Sequence, residues 1–377
     1  MERGHESVRA APSGDVPYKM ERVGLLMRPE PGNPLESEGV LNPATAWGRD
    51  GRLYLFPRLV AQGNVSRIGR AKVVIEHGRP VGVERDGLAL EPVRGWEHGT
   101  AHGGVEDPRV SPLPGLGVHI MAYVAYGPLG PKPALALSSD GRDWRRLGPI
   151  TFEYDDELDT DLNMFPNKDV AFFPEVVPSP DGRPSYALLH RPMWDLSFAR
   201  AGEAPPLPVG VEDRRPGIWI SYIDQAEAAR DLRALTRPHS HRALAGPEQA
   251  WEGLKIGGGA PPLRVPEGWL LLYHGVDGRI NHLGSFVPQD SVRYVAAAML
   301  LDPDNPARVL ARGPEPLLEP SLEAEVTGQV GNVVFPTAVE AIEGNWFVFY
   351  GMADSQIGVA RLERDTTRPA GRPAPDN

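Results

Sequence analysis

Residues 334–363 read VFPTAVEAIEGNWFVFYGMADSQIGVARLE. Three apolar segments, VFPTAVE, WFVFYGMAD and QIGVARLE, are separated by short polar or glycine-bearing connections, and the first carries a proline. Short apolar runs bounded by turn residues are the pattern of buried strands joined in hairpins. The same order recurs upstream. Its middle segments are LYLFPR (53–58), HIMAYVAYG (119–127), SYALLHRP (185–192) and WLLLYHGV (269–276), spaced by about 65 to 85 residues, the length of a four-stranded sheet with its loops. Before them lie LNPATAW, VEDPRVSP, FFPEVVP and GAPPLRV; after them come SRIGRAKVVI, ALALSSDG, GIWISYID and VRYVAAAMLL.

Five repeats of strand, turn, strand, loop, strand predict an all-β fold, a five-bladed β-propeller forming a single domain with its site in the central channel. Two β-sandwich domains would also give many short strands, but leave the recurring proline unexplained. The innermost strands of a propeller line its channel, so the proline segments are expected to bring Asn42, Asp107, Glu175, the glycines of GGGAPP and Thr337 around one axial pocket. The domain is expected over 19–365. The polar segment 1–18 and the Pro-rich tail 366–377 are expected to wrap or dangle.

Composition agrees with that class. The 377 residues include 42 glycines and 41 prolines, with 41% hydrophobic and 24% charged residues, which implies frequent turns and few long helices. A net charge of -11 argues against a nucleic-acid-binding surface. With no cysteine, disulfides and thiolate metal sites are excluded. No stretch approaches the roughly 18 apolar residues that span a bilayer, and the first residues lack the apolar core of a secretory signal. A soluble cytoplasmic protein is expected, with no nucleic-acid or membrane partner.

Polar residues gather at the ends of otherwise apolar strands, where burial demands a partner or a task. One mouth of the channel is expected to collect Asn42, Arg58, Arg67, Asp107, Arg109, Lys168, Asp169, Glu175, His190, Arg191, Tyr273, His274 and Asp354. Carboxylates mixed with cations suit a polyhydroxylated ligand plus a small anion. Within GGVEDPRV (103–110), Asp107 is either the partner of Arg109 or a carboxylate aimed at substrate; His190 is either a ligand or a satisfied core residue. His98 and His102 have a metal-ligand spacing for a helix, but their glycine neighbours disfavour one, and no metal is expected. The triple glycine 257–259 lacks the Lys-Ser or Lys-Thr of a phosphate loop and reads as a strand passing close to a ligand.

The motifs GVLNPA, SRIGRA, GGVEDPR, NKDVAFFPE, LLHRP, KIGGGAPP, LLYHGV, VVFPTA and GMADSQIG together resemble, in order, those of glycoside hydrolase family 130, the β-mannoside phosphorylases and β-mannosidases. The resemblance runs from about residue 36 to residue 361 and touches every repeat. It implies a five-bladed propeller and cleavage of a β-mannosidic bond with inversion, by inorganic phosphate in the phosphorylases and by water in the hydrolases. The implied general acid is Asp107, acting through a hydroxyl of the bound mannose. The implied phosphate ligands are Arg67, Arg146, Lys168, Tyr273 and His274; the implied sugar ligands are Asn42, Glu106, Arg109, Asp169, His190, Arg191 and Asp354. The partners are then a β-mannoside oligosaccharide and phosphate as co-substrate, with no further cofactor and a homo-oligomer left open.

An inverting hydrolase needs a second carboxylate, whereas a phosphorylase needs a cationic cradle. The basic residues favour phosphorolysis. Two segments bear on the alternative. The acidic insert FEYDDELDTDLN (152–163) is either a solvated loop or the source of a base. The loop from Trp194 to Pro216 either shapes the acceptor side or is a surface excursion. A glycan-binding protein without turnover is the reading from outside enzymology.

Overall fold

The computed structural model describes residues 14–99, 102–194, 207–279 and 291–367. Expectations for 1–13, the tail from 368, and positions 195–206 of the long loop fall outside the described residues. Strands dominate, and the only α-helices among the described residues are short, Gln225–Arg230 and Glu323–Val326. No helix among them is long and apolar enough to cross a membrane.

Strand β1 (Tyr18–Met27) precedes five antiparallel units. The first is β2 (Gly39–Trp47), β3 (Leu53–Ala61), β4 (Val65–Glu76) and β5 (Arg79–Leu90). The second is β6 (Gly103–Leu113), β7 (Val118–Gly127), β8 (Gly130–Ser138) and β9 (Arg145–Pro149). The third has β10 (Asn167–Phe172), a short β11 (Val177–Pro178), β12 (Pro184–Pro192), β13 (Ile218–Asp224) and β14 (His239–Ala245). The fourth has β15 (Lys255–Gly258), a short β16 (Leu263–Val265), β17 (Gly268–Gly278), β18 (Val292–Leu301) and β19 (Val309–Arg312). The fifth, β20 (Val334–Ile342), β21 (Asn345–Met352) and β22 (Gln356–Arg364), receives β1 as its fourth strand along β22. A two-residue parallel bridge, Val65 with Gly103 and Ser66 with Gly104, joins the first unit to the second.

Five apolar clusters lie between consecutive units. Phe56 and Ile68 meet Val105 and Met121; Leu113 and Leu135 meet Phe172 and Trp219; Phe173 and Ile220 meet Leu271 and Met299. Leu272 and Ala298 meet Val334 and Val348, and Phe347 and Val359 meet Val40 and Leu55, so the fifth unit packs on the first. Central strands such as β3 and β21 are buried on both faces and read as near-continuous apolar runs for that reason. The first strands converge: β2 packs on β6 and β20, β6 on β10, and β10 on β15.

Strand pairing slips at the same place in β2, β6 and β10, between Leu41 and Ala44, Glu106 and Arg109, and Lys168 and Ala171. At each slip one residue has left-handed φ: Asn42 (42°), Asp107 (45°) and Asp169 (59°). Asn and Asp tolerate that region, and a bulge re-aims the side chain it carries. This corrects the third repeat. Its first strand is NKDVAF, so Asp169 holds the bulge, while Glu175 is exposed beyond the strand end. In the fourth unit the first strand is likewise KIGG, upstream of the prolines. Proline marks the bulge only where a missing N–H costs no ladder bond, as at Pro43 and Pro108.

Four units carry a common clasp. A buried glutamate just before the first strand, Glu36, Glu97, Glu252 or Glu325, takes an arginine from the fourth strand: Arg85, Arg146, Arg312 or Arg22. In the last three a tyrosine hydroxyl from the second strand, Tyr123, Tyr273 or Tyr350, also donates to the carboxylate at 2.9–3.0 Å. Backbone amides complete the set; Glu252 accepts from Glu248 and Gln249 at 2.7 and 2.8 Å. Each of these three clasps thus ties the segment before the first strand to the second and fourth strands of its unit around one carboxylate. Glu252→Ala strips Arg312, whose side chain is 1% exposed, of its buried counter-charge. Chemical denaturation should show a loss of about 3–5 kcal/mol, whereas Asp181→Ala, which breaks an exposed pair with Arg183, should leave the midpoint unchanged.

Candidate active site

The bulges of β2 and β6 bring Asn42 against Asp107, and the amide Nδ2 donates to Asp107 Oδ1 at 2.9 Å. Arg58, on β3, donates Nη1 to the same oxygen at 3.2 Å, Nη2 to Glu106 Oε1 at 3.0 Å and Nε to Ser66 Oγ at 2.9 Å. Lys168 Nζ reaches the other Glu106 oxygen at 3.4 Å. Asp107 Oδ2 has no hydrogen-bond partner among the described residues. Burial pushes the Asp107 carboxyl upward, but Arg58, Lys168, Asn42 and Arg109 outweigh it and hold it below the usual carboxylate range.

Asp169 is the second centre. Its Oδ1 accepts from Arg109 Nη2 at 3.2 Å, its Oδ2 from Arg191 Nε at 2.5 Å, and His274 Nε2 lies 3.8 Å from Oδ2. Against the upward push of burial, Arg191 and Arg109 hold Asp169 ionised. Gly257 makes this packing possible. A Cβ there would lie 2.3 Å from Asp169 Oδ2, 2.5 Å from His274 Cε1 and 2.8 Å from Arg191 Nε. Burial holds His274 neutral. Two buried atoms of this group, Arg191 Nη1 and His274 Nδ1, have no partner among the described residues, and neither has Asn42 Oδ1.

Several expected site residues are already saturated. Arg109 donates Nε to Gly259 O at 2.7 Å and Nη2 to Gly258 O at 3.0 Å as well as to Asp169, which makes it a buried brace and not a sugar ligand. Both oxygens of Glu106 and of Asp169 are engaged, so these carboxylates position their neighbours. Tyr273 faces away from the site. Neighbouring residues of a strand point to opposite faces, and with His274 toward Asp169 the Tyr273 hydroxyl meets Glu252 and Arg312. Arg146 is held by Glu97 in the second clasp and also donates to Glu91 O. Arg67 lies 3.9 Å from the Glu91 carboxylate, and neither arginine bonds to the Asp107 cluster. His190 is fully buried with both ring nitrogens bonded, to Asn167 and Ser221, so it is a core residue. The acidic insert faces Arg242 through Asp155 and Glu157, consistent with the solvated-loop reading.

One residue at the site was missed. Lys255 opens β15 two positions before Gly257, hence on the same face, and its Nζ lies over the Tyr294 ring at 5.4 Å. Burial first, then Arg191 and Lys168, push its pKa down to about 7. The period of two in KIGG carries that signal. The Tyr294 ring in turn stacks on His274 at 5.9 Å.

Residues 239–367 match a family model described as β-1,4-mannooligosaccharide phosphorylase. Along most of its length the chain is similar to the 1,2-β-oligomannan phosphorylase of Thermoanaerobacter sp. (strain X514), 29% identical over 345 residues that cover 90% of this chain and 94% of the relative. Along its length the chain is similar to members of glycoside hydrolase family 130. The β-1,2-mannobiose phosphorylase of Listeria innocua, solved with β-1,2-mannobiose, superposes with a TM-score of 0.66 at 22% identity, covering 93% of this chain and 98% of that one. A family 130 structure described among glycoside hydrolases that target β-1,2 mannosidic linkages in Candida mannan gives 0.69 at 20% identity, covering 97% and 100%. At such identities these likenesses speak for the fold.

Asp354 stands apart in this site. It is half-buried with left-handed φ, and no described residue hydrogen-bonds its carboxylate. Burial, with Asp107 and Glu106 beside it, outweighs Arg58 and Lys168 and raises its pKa from 3.8 to about 6. Between these values the folded chain keeps a proton that the unfolded chain has lost, so stability falls as pH rises through that window. Unfolding measured at about pH 4 and about pH 7 should show a smaller fall for Asp354→Asn than for the parent chain.

Proposed function

We propose that this enzyme is an inverting β-mannoside phosphorylase, converting a β-linked mannoside and inorganic phosphate into α-mannose 1-phosphate and a shortened sugar. Its scaffold is read as a five-bladed β-propeller, supported by five units, five inter-unit clusters and β1 completing the last sheet. The observation that carries the activity is the unsatisfied nitrogen-rich wall beside Asp107. Arg191 Nη1 and His274 Nδ1 lack partners among the described residues, and Lys168 and Lys255 stand with them. Such a wall binds an anion in line with a glycosidic carbon, and it takes the place of the expected Arg146 and Tyr273.

Asp107 is the general acid in this reading, with Oδ2 free to meet the sugar. The surrounding cations keep it ionised. Bound phosphate offsets the charge of Lys168 and its neighbours, so the pKa of Asp107 rises when the nucleophile arrives. Phosphate oxygen then bonds to the mannose C1 as the C1–O bond breaks. The leaving oxygen takes the proton delivered by Asp107 through a mannose hydroxyl, and Asp107 regains one from the hydrogen phosphate. Asn42 and Asp354 are the sugar-hydroxyl ligands.

A second reading rests on Asp354. A carboxylate near Asp107 without a partner, and with pKa about 6, is suited to activate water in an inverting β-mannosidase. Incubation with β-1,2- and β-1,4-mannobiose, with and without phosphate, separates the two. Phosphate-dependent formation of α-mannose 1-phosphate is expected; free mannose released without phosphate favours the hydrolase. Asp107→Asn should reduce kcat by about 10²–10⁴-fold, and Lys255→Met should raise KM for phosphate more than it lowers kcat.

A further inference from the structure

The third unit lacks the Glu–Arg clasp and has a chain of hydrogen bonds in its place. Asn167, on β10 beside Lys168 and Asp169, accepts the backbone N–H of Arg191 at its Oδ1, 3.1 Å away. Its amide nitrogen must therefore face His190 Nδ1, at 3.0 Å. That makes Nδ1 an acceptor and puts the His190 proton on Nε2, which meets Ser221 Oγ at 2.8 Å. The Ser221 hydroxyl passes its own proton to His241 Nδ1 at 2.8 Å, and His241 Nε2 lies 2.8 Å from the backbone oxygen of Glu153. A carbonyl can only accept, so the chain read from its far end runs in the same direction. Asn167, His190, Ser221 and His241 are each no more than 1% exposed.

The far end is the start of the acidic insert. Phe152 lies 4.6 Å from the His190 ring and 5.5 Å from the His241 ring. Asn163 holds the Phe152 backbone from both sides, through bonds of 2.8 and 2.7 Å. Thr151 N and Glu153 N donate to Thr236 O and Pro238 O, which fixes the insert against the chain before β14.

We infer that His190, Ser221 and His241 are positioning residues that transmit the placement of the insert to Asn167 and so hold Lys168 and Arg191 at the separation an anion requires. The inference rests on the phosphorylase reading for the identity of that anion. It assigns a role to residues that touch neither substrate nor reacting atoms. Its chemical requirement is that both histidines remain neutral with the proton on Nε2; a proton added to His190 sets donor against donor at Asn167, and one added to His241 turns the Ser221 hydroxyl proton out of the chain.

The test uses the whole chain, as parent and as Ser221→Ala, which opens the chain between the two rings. Phosphate KM is expected to rise about tenfold, while kcat at saturating phosphate stays within about twofold, and thermal melting checks that the variant is folded. In parallel, imidazole nitrogen–proton spectra of the parent at neutral pH are expected to show His190 and His241 as neutral Nε2–H tautomers. A folded variant with unchanged phosphate KM overturns the proposal, as does an Nδ1–H or charged form of either ring. Should the parent chain release mannose without phosphate, the function reading fails, and the tautomers, which need no substrate, still decide the chain of bonds.

Discussion

Arg109 has almost no exposed surface, and a guanidinium taken from water must find acceptors or destabilise the fold. It finds them across three units: the carbonyls of Gly258 and Gly259 in the fourth, Asp169 in the third and Asp107 O in its own. These acceptors can meet at one point only if the first strands converge and bulge where they do. The bulges at Asp107 and Asp169 and the engagement of Asp169 Oδ1 serve this one cation, while Arg191 takes Oδ2. What is left unpaired after it is satisfied is the part of the cluster open to ligand chemistry.

Much of this was legible in the sequence. The repeat of VFPTAVE, WFVFYGMAD and QIGVARLE gave the number of units, because buried central strands are continuous apolar runs. It could not locate the first strand where proline and bulge part company, as at NKDVAFFPE and KIGGGAPP. There the strand lies upstream of the proline, since its ladder needs the N–H groups that proline lacks. Nor could it show that β1 belongs to the fifth sheet, a pairing over more than three hundred residues with no local signal.

The site residues divide along the same line. Asn42, Asp107 and Lys168 are carried by short motifs and cluster as expected. Tyr273 and His274 cannot both face one pocket, because strand geometry sends neighbours to opposite sides; the alternation was there to be read, and it also exposes Lys255. Arg146 is different. Its partner Glu97 lies 49 residues away, and nothing near either residue announces a clasp. Charge alone does not distinguish a cation available to phosphate from one already neutralised in the wall of a sheet.

The last sheet is made of the first strand of the fold and the last three. During synthesis Tyr18–Met27 is made more than three hundred residues before its edge partner Gln356–Arg364. The other four units are each contiguous in sequence and can form as they appear. Until that partner is made the chain carries an unpaired strand with Met20, Leu26 and Met27 uncovered, and the arginine of its clasp, Arg22, waits for Glu325. Completion of this fold is a long-range event in which one pairing locks its first strand to its last.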